Sequence, residues 1–484
     1  MPFPYTFPIT FPDKYLIEVA WGTSVNDDLT SNTKSIHFSR GKSDELGKAE
    51  VGQLSITLNN ASGLYTPSNS AGDLYTYLKP KKVIKITYCD GATDYPLFYG
   101  FIEEIIPHPH LLEQDCIIMA VDGIDFLSRH DLSTTLYLNT ATGTIHTYIL
   151  NDAGWSASMR TLDTGQDTVP YWYGADVKAR FAQEEVDDNE QGFSIVDGAG
   201  YFRFEDRHHR STSTHQTSQA TFYNSMAGIT YSMNPRNIYN EVKVTVTPWE
   251  IQAEAELWRL EETPSIAVGQ TLTWWGNSEY FVGAWVTPVI TTDYTANSLA
   301  NGTGTNMTTD ISITTTKFAR TIKLAITNNG TVPAFITLLK ARGTWYDDQT
   351  KVVRKTVDAT SQTAYQKRTF ELDGKYMTNA DKAQDYADYA IGKYKDPRAQ
   401  LTMTVMNQDA TALAQILALE ISDRITVDND KLGIDGDYFI DYMQHDISQS
   451  GLVHTATYRL ADTINEDFWC LDFSALDTQT KLGY

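Results

Sequence analysis

Residues 40–67 read RGKSDELGKAEVGQLSITLNNASGLYTP. A charged, glycine-bracketed turn gives way to Leu54, Ile56 and Leu58 at alternate positions, the period of a strand with one buried face. Val51 lies off this even-numbered register, and a bulge near Gly52 accounts for the offset, with Gly47 and Gly52 allowing tight backbone geometry. The turn carries Arg40, Asp44 and Glu45 with no catalytic pattern around them.

The same grammar extends on both sides. YLIEVAW, SIHFSR, VIKITYCD, YPLFYGFIEEII and DCIIMAVDGIDFL are strands between Gly, Asn and Asp turns, so residues 15–130 form one antiparallel β domain, sandwich or barrel. Prolines at 2, 4, 8 and 12 forbid a helix and make 1–14 an extended arm, able to lie on a neighbouring subunit. Residues 131–235 read as a small α+β module. In GTIHTYILNDAGW, Ile145, Ile149 and Leu150 share a helical face that stops at Gly154, and Tyr201, Phe202 and Phe204 sit in a short strand. Alternation returns over 236–375 in VKVTVT, ISITTT and TIKLAITNNG, an inserted β-sandwich with an exposed loop at TDYTANSLANGTGTNMTTD.

Residues 376–465 begin with the clearest helix, 378–395. Thr378 and Asp381 start it, Ala383, Tyr386, Ala387, Ala390, Ile391 and Tyr394 form one face, and Pro397 ends it. A further β domain follows, then a tail at 466–484 carrying Phe468 and Trp469, which need a surface to dock on. The fold class is therefore mainly β and multidomain, α+β overall. At 484 residues the chain has room for three to four domains.

Composition narrows the function. With 61 acidic and 38 basic residues the formal charge is −23, which repels a phosphate backbone and disfavours sequence-specific nucleic-acid binding. Cys89, Cys116 and Cys470 have neither metal-type spacing nor the makings of a disulfide framework. The N-terminus lacks a signal-peptide pattern, and no run of about 18 apolar residues is present, so neither export nor a membrane-spanning segment is expected. Asp163-Thr164-Gly165 matches an aspartic-protease tripeptide but lacks the expected flanks and a second carboxylate, and reads as a turn. His108 and His110, and His208 and His209, have no third metal ligand at a recognisable spacing and read as solvent-facing. The acid pairs Glu103-Glu104, Glu184-Glu185 and Asp187-Asp188 read as solvated charge. Trp274, Trp275 and Trp345 leave a carbohydrate- or receptor-binding module as the alternative reading. No metal, no cofactor and no enzymatic activity are expected.

The opening stretch, followed by LKPKKVIKITY, YPLFYGFIEEI, IIMAVDGIDFLSR, ILNDAGW, YFRFEDRHHR, NEVKVTV and DYADYAIGKYKDPRAQLTMTV, resembles in order and wording the minor tail proteins of tailed bacteriophages, over roughly residues 15–462. That group is related to baseplate and tail-tip hub proteins, similar to the trimeric hub of contractile-phage baseplates and type VI secretion spikes. The resemblance implies two domains shaped like a tail-tube subunit, 15–130 and 376–465, so that a homotrimer offers six similar domains to a sixfold tube. It implies a virion protein at the tail tip, made in the host cytoplasm and taking part in channel opening for DNA ejection. Its partners would be a distal tail or tail tube protein, the tape measure protein, and tail fibre, spike or receptor-binding proteins. The hub-like wording ends near residue 462, so cell-wall digestion is expected of other chains. Within that frame Arg40, Asp44 and Glu45 become expected polar assembly contacts.

Overall fold

The protein is described from a computed structural model over residues 15–22, 27–42, 46–110, 113–212, 214–224, 226–348 and 350–463. Strands Thr33–Gly41 and Glu50–Asn59 pair antiparallel, with Phe38 opposite Leu54, Ser39 opposite Gln53 and Gly41 opposite Glu50. Two residues, Val51 and Gly52, therefore stand against Arg40 alone, which is the bulge the broken alternation requires. Leu54, Ile56 and Leu58 point into the β core, while Val51 packs against the hydrophobic core of the 131–235 module.

The other edge of Thr33–Gly41 pairs antiparallel with Ile434–Ser448, Phe38 opposite His445 and Gly41 opposite Tyr442. This one ladder joins both ends of the chain in a single twelve-stranded sheet. Its order runs Tyr15–Val19, Val83–Cys89, Asp94–Pro109, Gln114–Val121, Glu50–Asn59, Thr33–Gly41, Ile434–Ser448, Val453–Asp462, Ala399–Met406, Gly228–Met233. Arg424–Asn429 pairs with the first half of Ile434–Ser448 and carries Ala220–Tyr223 parallel to it. The β-rich class expected from the sequence is what the molecule shows. The sheet stays open, however, because Thr33–Gly41 spends its second edge on a distant strand instead of closing a barrel with its neighbours.

Two apolar clusters lie along this sheet. One gathers Ile17, Trp21, Phe38, Ile56, Phe98 and Ile118. The other gathers Phe222, Met403, Ile425, Ile440, Met443 and Tyr458, closed by helix Ala410–Ala418 through Ala412 and Ile416. The module between them contains helix Thr142–Asp152, followed by Gly154 at φ +76°, and helix Ala179–Glu190. The second helix corrects the reading of the acid pairs. Asp187 is buried and accepts from Gln183 Nε2 at 2.7 Å and Ser194 Oγ at 2.9 Å, whereas Glu184 and Glu185 pair outward with lysines.

The insert holds two sheets, one centred on Ala334–Asp348 and one on Thr321–Asn328, around Val282, Trp285, Leu324 and Ile336. Helix Ala380–Tyr394 lies on a separate sheet of Val352–Val357, Glu241–Val246 and Thr369–Gly374. The anticipated face, Ala383 through Tyr394, packs on Val242, Val244 and Val246. Its cap is Asn379, not Thr378: the Asn379 side chain accepts from the Asp381 N–H at 2.8 Å.

Gly41 holds the seam together sterically. It sits at φ +107°, and a Cβ there would lie 2.3 Å from the Asp441 carbonyl and 2.8 Å from Tyr442 Cα. Gly41→Ala should cost about 2–4 kcal/mol, combining backbone strain with a backbone clash. The check is urea unfolding, where the midpoint falls; an unshifted midpoint refutes the close approach.

Candidate functional site: a buried charge network across the seam

Arg40 follows Phe38 and Ser39 along its strand and is turned inward, only 5% exposed. Its Nη1 donates to both carboxylate oxygens of Glu420 at 2.9 Å, and Nη2 reaches Met443 Sδ at 3.2 Å. Glu420 lies just beyond helix Ala410–Ala418, and its carboxylate also accepts the Ile421 N–H at 2.9 Å and the Gly198 N–H at 3.4 Å. The 131–235 module continues the network. Arg203 Nη2 donates to Glu205 at 2.6 Å, and Glu205 in turn accepts from the Ser422 hydroxyl. Arg210 Nη2 donates to Asp441 at 2.6 Å, with its guanidinium 5.0 Å from the centre of the Phe439 ring. One polar network thus ties three stretches of chain that lie far apart in sequence.

Of the three residues singled out from the sequence, Arg40 is brought to Glu420 in the interior. Asp44 and Glu45 lie outside the described residues. Glu420, Arg203, Glu205, Arg210 and Asp441 were not anticipated. The only local signal is a charge standing between apolar neighbours, as Glu420 does in ALEIS.

The charges hold one another in defined states. Burial alone would raise the Glu420 carboxyl, but the Arg40 and Arg203 charges outweigh it and hold the group below its ordinary value. Asp423 is pushed up to about 6, by burial first and then by the neighbouring Glu420 charge. Asp122 rises to about 7 through burial, even though it accepts N–H bonds from Gly52 at 2.8 Å and Ile124 at 2.9 Å. That contact explains Gly52: a Cβ there would stand 2.6 Å from Asp122 Oδ2.

Of the four histidines read as solvent-facing, His110 is exposed, whereas His209 is drawn against a carboxylate. His209 Nδ1 lies 2.8 Å from Asp163 Oδ2. Burial lowers this imidazole, but the Asp163 hydrogen bond and the Glu205 charge raise it further, so the net shift is upward. Asp163 also accepts the Asp206 N–H at 3.0 Å, so this carboxylate fastens a turn. On the seam itself, Tyr15 Oη, His454 and His445 form a buried chain with links of 2.9 and 2.8 Å, and the His445 ring stacks on Phe38 at 4.6 Å. Burial keeps both imidazoles neutral near pH 7, His454 lowered to about 4. His108 and His110 stack on each other at the outer end of strand Asp94–Pro109. Among the described residues no group of three His, Cys, Asp or Glu is arranged to hold a metal ion. What the network can do chemically is fasten elements by mutually satisfied charge.

No family model matches the chain, and no curated protein matches it in sequence. Among solved structures, the chain is similar to the 43 kDa tail protein of prophage MuSo2 from Shewanella oneidensis, with TM-score 0.50 and 9% identity over 93% of this chain and 98% of that one. It is equally similar to a tail protein from Neisseria meningitidis MC58, with TM-score 0.50 and 9% identity over 93% and 97%. At that identity the likeness is one of fold.

Removing Arg40 leaves the half-buried Glu420 beside fewer cations, so Arg40→Ala should cost about 2–4 kcal/mol, somewhat under the loss for a fully buried pair. The double variant Arg40→Met with Glu420→Gln should cost less than Arg40→Ala alone, measured by chemical denaturation; a larger loss in the double variant refutes the pairing. Asp423 supplies a pH test. Its folded value lies above its unfolded one, so its stabilising contribution is full below about pH 4 and is lost as pH rises toward 6. Asp423→Asn, which keeps an acceptor for the Glu420 N–H, should gain on the wild type by about 2–3 kcal/mol across that window, at about 1.4 kcal/mol per unit. A pH-independent difference rules this out.

Proposed function

We propose that this chain is a non-enzymatic structural subunit of a bacteriophage tail, the hub at the tail tip. As a homotrimer it closes the distal end of the tube, adapts sixfold tube to threefold tip, and takes part in opening the channel for DNA ejection. The observation that carries the tail reading is a fold shared with a prophage tail protein and with the Neisseria meningitidis tail protein over nearly the whole of each chain. The proposed partners are a distal tail or tail tube protein, the tape measure protein, and fibre, spike or receptor-binding proteins.

Ring assembly draws support from the sheet. Among the described residues it ends at Gly228–Met233, a strand with Tyr231 46% and Met233 58% exposed. An exposed strand edge with apolar side chains is an aggregation hazard unless something covers it. A head-to-tail contact repeated around a closed ring covers every copy of such an edge. Asp44 and Glu45 are then proposed to contact the next protomer, while Arg40, held by Glu420, anchors the strand end from which their turn departs.

The second reading, a receptor- or carbohydrate-binding module, has Trp275 in its favour. This residue is 53% exposed, its ring 5.7 Å from that of Phe318. Trp274 is half-buried against the insert core, and Trp345 packs on Tyr280 at 3.9 Å. Strong, specific glycan-array binding abolished by Trp275→Ala would promote this reading over the hub.

Negative-stain images of the purified protein should show threefold rings. Tyr231→Asp with Met233→Lys should convert them to monomers by sedimentation, with circular dichroism unchanged. Charge reversal at Asp44 and Glu45 should lower tail assembly at least tenfold while leaving the chain folded. A wild type that is monomeric both alone and in assembled tails overturns the hub.

A further inference from the structure

The twelve-stranded sheet curls until its first strand, Tyr15–Val19, meets Val453–Asp462 through side chains. Tyr15 Oη lies 2.9 Å from His454 Nδ1, and His454 Nε2 lies 2.8 Å from His445 Nδ1. His445 stands opposite Phe38 in the seam, its ring within 7° of parallel to that of Phe38. None of the three side chains is more than 2% exposed. A neutral imidazole has one N–H and one acceptor nitrogen, so the hydrogen bonds of the chain must all run one way. Either Tyr15 donates to His454 and His454 to His445, or His445 donates to His454 and His454 to Tyr15. One extra proton on His445 is absorbed by taking the second direction. A second proton sets an N–H of each ring face to face across 2.8 Å, and the link breaks.

The surroundings do little to offset such charge. From strand Thr33–Gly41 the Arg40 guanidinium opposes it, while His37 holds Asp446, the nearest carboxylate of Ile434–Ser448, at 2.6 Å near the surface. Tyr88 on Val83–Cys89 and Tyr458 on Val453–Asp462 bring phenols, with rings 4.8 Å from Tyr15 and 6.4 Å from His445. Glu420, beyond helix Ala410–Ala418, is taken by Arg40, and neither that helix nor strand Ala399–Met406 has a titratable side chain. A cavity of about 300 Å³ lined by Tyr95, Glu420 and His445 reaches the inner ring and gives a proton its way in.

We propose that Tyr15, His454 and His445 form an acid-sensitive latch on the seam. It is closed while both imidazoles are neutral and released once they take protons, so that Tyr15–Val19 and Thr33–Gly41 part from Ile434–Ser448 and Val453–Asp462. Burial sets the direction. It holds His454 at about 4, against about 6.5 for an exposed ring, so the contribution of the latch is full above about pH 6.5 and is lost as the pH falls toward 4. That ring alone favours opening about twentyfold more at pH 5 than at pH 7. This inference does not depend on the hub reading.

Hydrogen–deuterium exchange on the full chain at pH 7 and pH 5 tests it, each rate divided by that of an unstructured peptide at the same pH. The expected result at pH 5 is a loss of protection of at least tenfold in Tyr15–Val19, Thr33–Gly41 and Val453–Asp462, with strand Thr321–Asn328 of the insert unchanged. The double variant His445→Phe with His454→Gln, which leaves no imidazole at the latch, should cut that loss to under threefold. Strand Thr321–Asn328 also reports folding: if the variant loses protection there at pH 7, the wild-type profile decides alone. Wild-type protection equal at both pH values overturns the latch, as does a loss spread evenly over all strands. A loss as large in the folded double variant as in the wild type likewise overturns it.

Discussion

The ion pair between Arg40 and Glu420 is the constraint around which the molecule is arranged. A guanidinium taken out of water costs several kcal/mol, and its partner must be placed well to recover that cost. Here the partner comes from nearly four hundred residues away in the chain, and it arrives only if two other things are true. Strand Thr33–Gly41 must pair with Ile434–Ser448 in one register, and the turn after helix Ala410–Ala418 must reach the seam. A slip of one residue in that pairing would send Phe38 and Arg40 to the opposite face, separating Phe38 from His445 and Arg40 from Glu420 together. An apolar seam would be comparably stable in many registers, so charge supplies selectivity where hydrophobic burial supplies strength.

The backbone around the pair is shaped to suit it. Gly41 lets the strand end approach the Asp441 carbonyl, and the bulge at Val51 and Gly52 absorbs the extra residue opposite Arg40. The bulge also rotates Val51 away from the β core and onto the module, so the irregularity that frees Arg40 creates the apolar contact that seats the next domain. Asp122, accepting the Gly52 and Ile124 N–H groups, pins the bulge to the start of the chain segment that enters the module. Seam, bulge and module entry therefore form one mechanical unit.

Local periodicity made much of this legible. Leu54, Ile56 and Leu58 announced a strand, the face from Ala383 to Tyr394 announced a helix, and the displacement of Val51 announced a bulge that the register bears out. The seam was not legible, because alternation says that a strand has a buried face and not which strand lies beside it. The acids misled for a related reason. Asp187 looks like Asp188 in sequence, but only one of them meets Gln183 and Ser194, and those meetings depend on how helix Ala179–Glu190 is seated. His209 likewise gains its carboxylates only after the 207–210 turn folds against Asp163 and Glu205. The resemblance rested on order and wording together, and order survives where wording does not: the shared fold stands at 9% identity.

The network also bears on where the charge excess lies. Arg40, Arg203 and Arg210 are each matched by a carboxylate, yet among the described residues buried acids, Asp122, Asp187 and Asp423 with them, outnumber buried bases. Of the acids behind the net charge of −23, groups such as Glu103 and Glu104 face water and give the protein acidic surface. In the proposed ring, such surface turned to the passage would form an acidic wall. Polyanionic DNA releases no counterions on meeting carboxylates, so such a wall offers it no electrostatic hold. The same acids would repel between protomers of that ring at low salt, so its closure would fall to short-range contacts such as the apolar edge at Tyr231 and Met233.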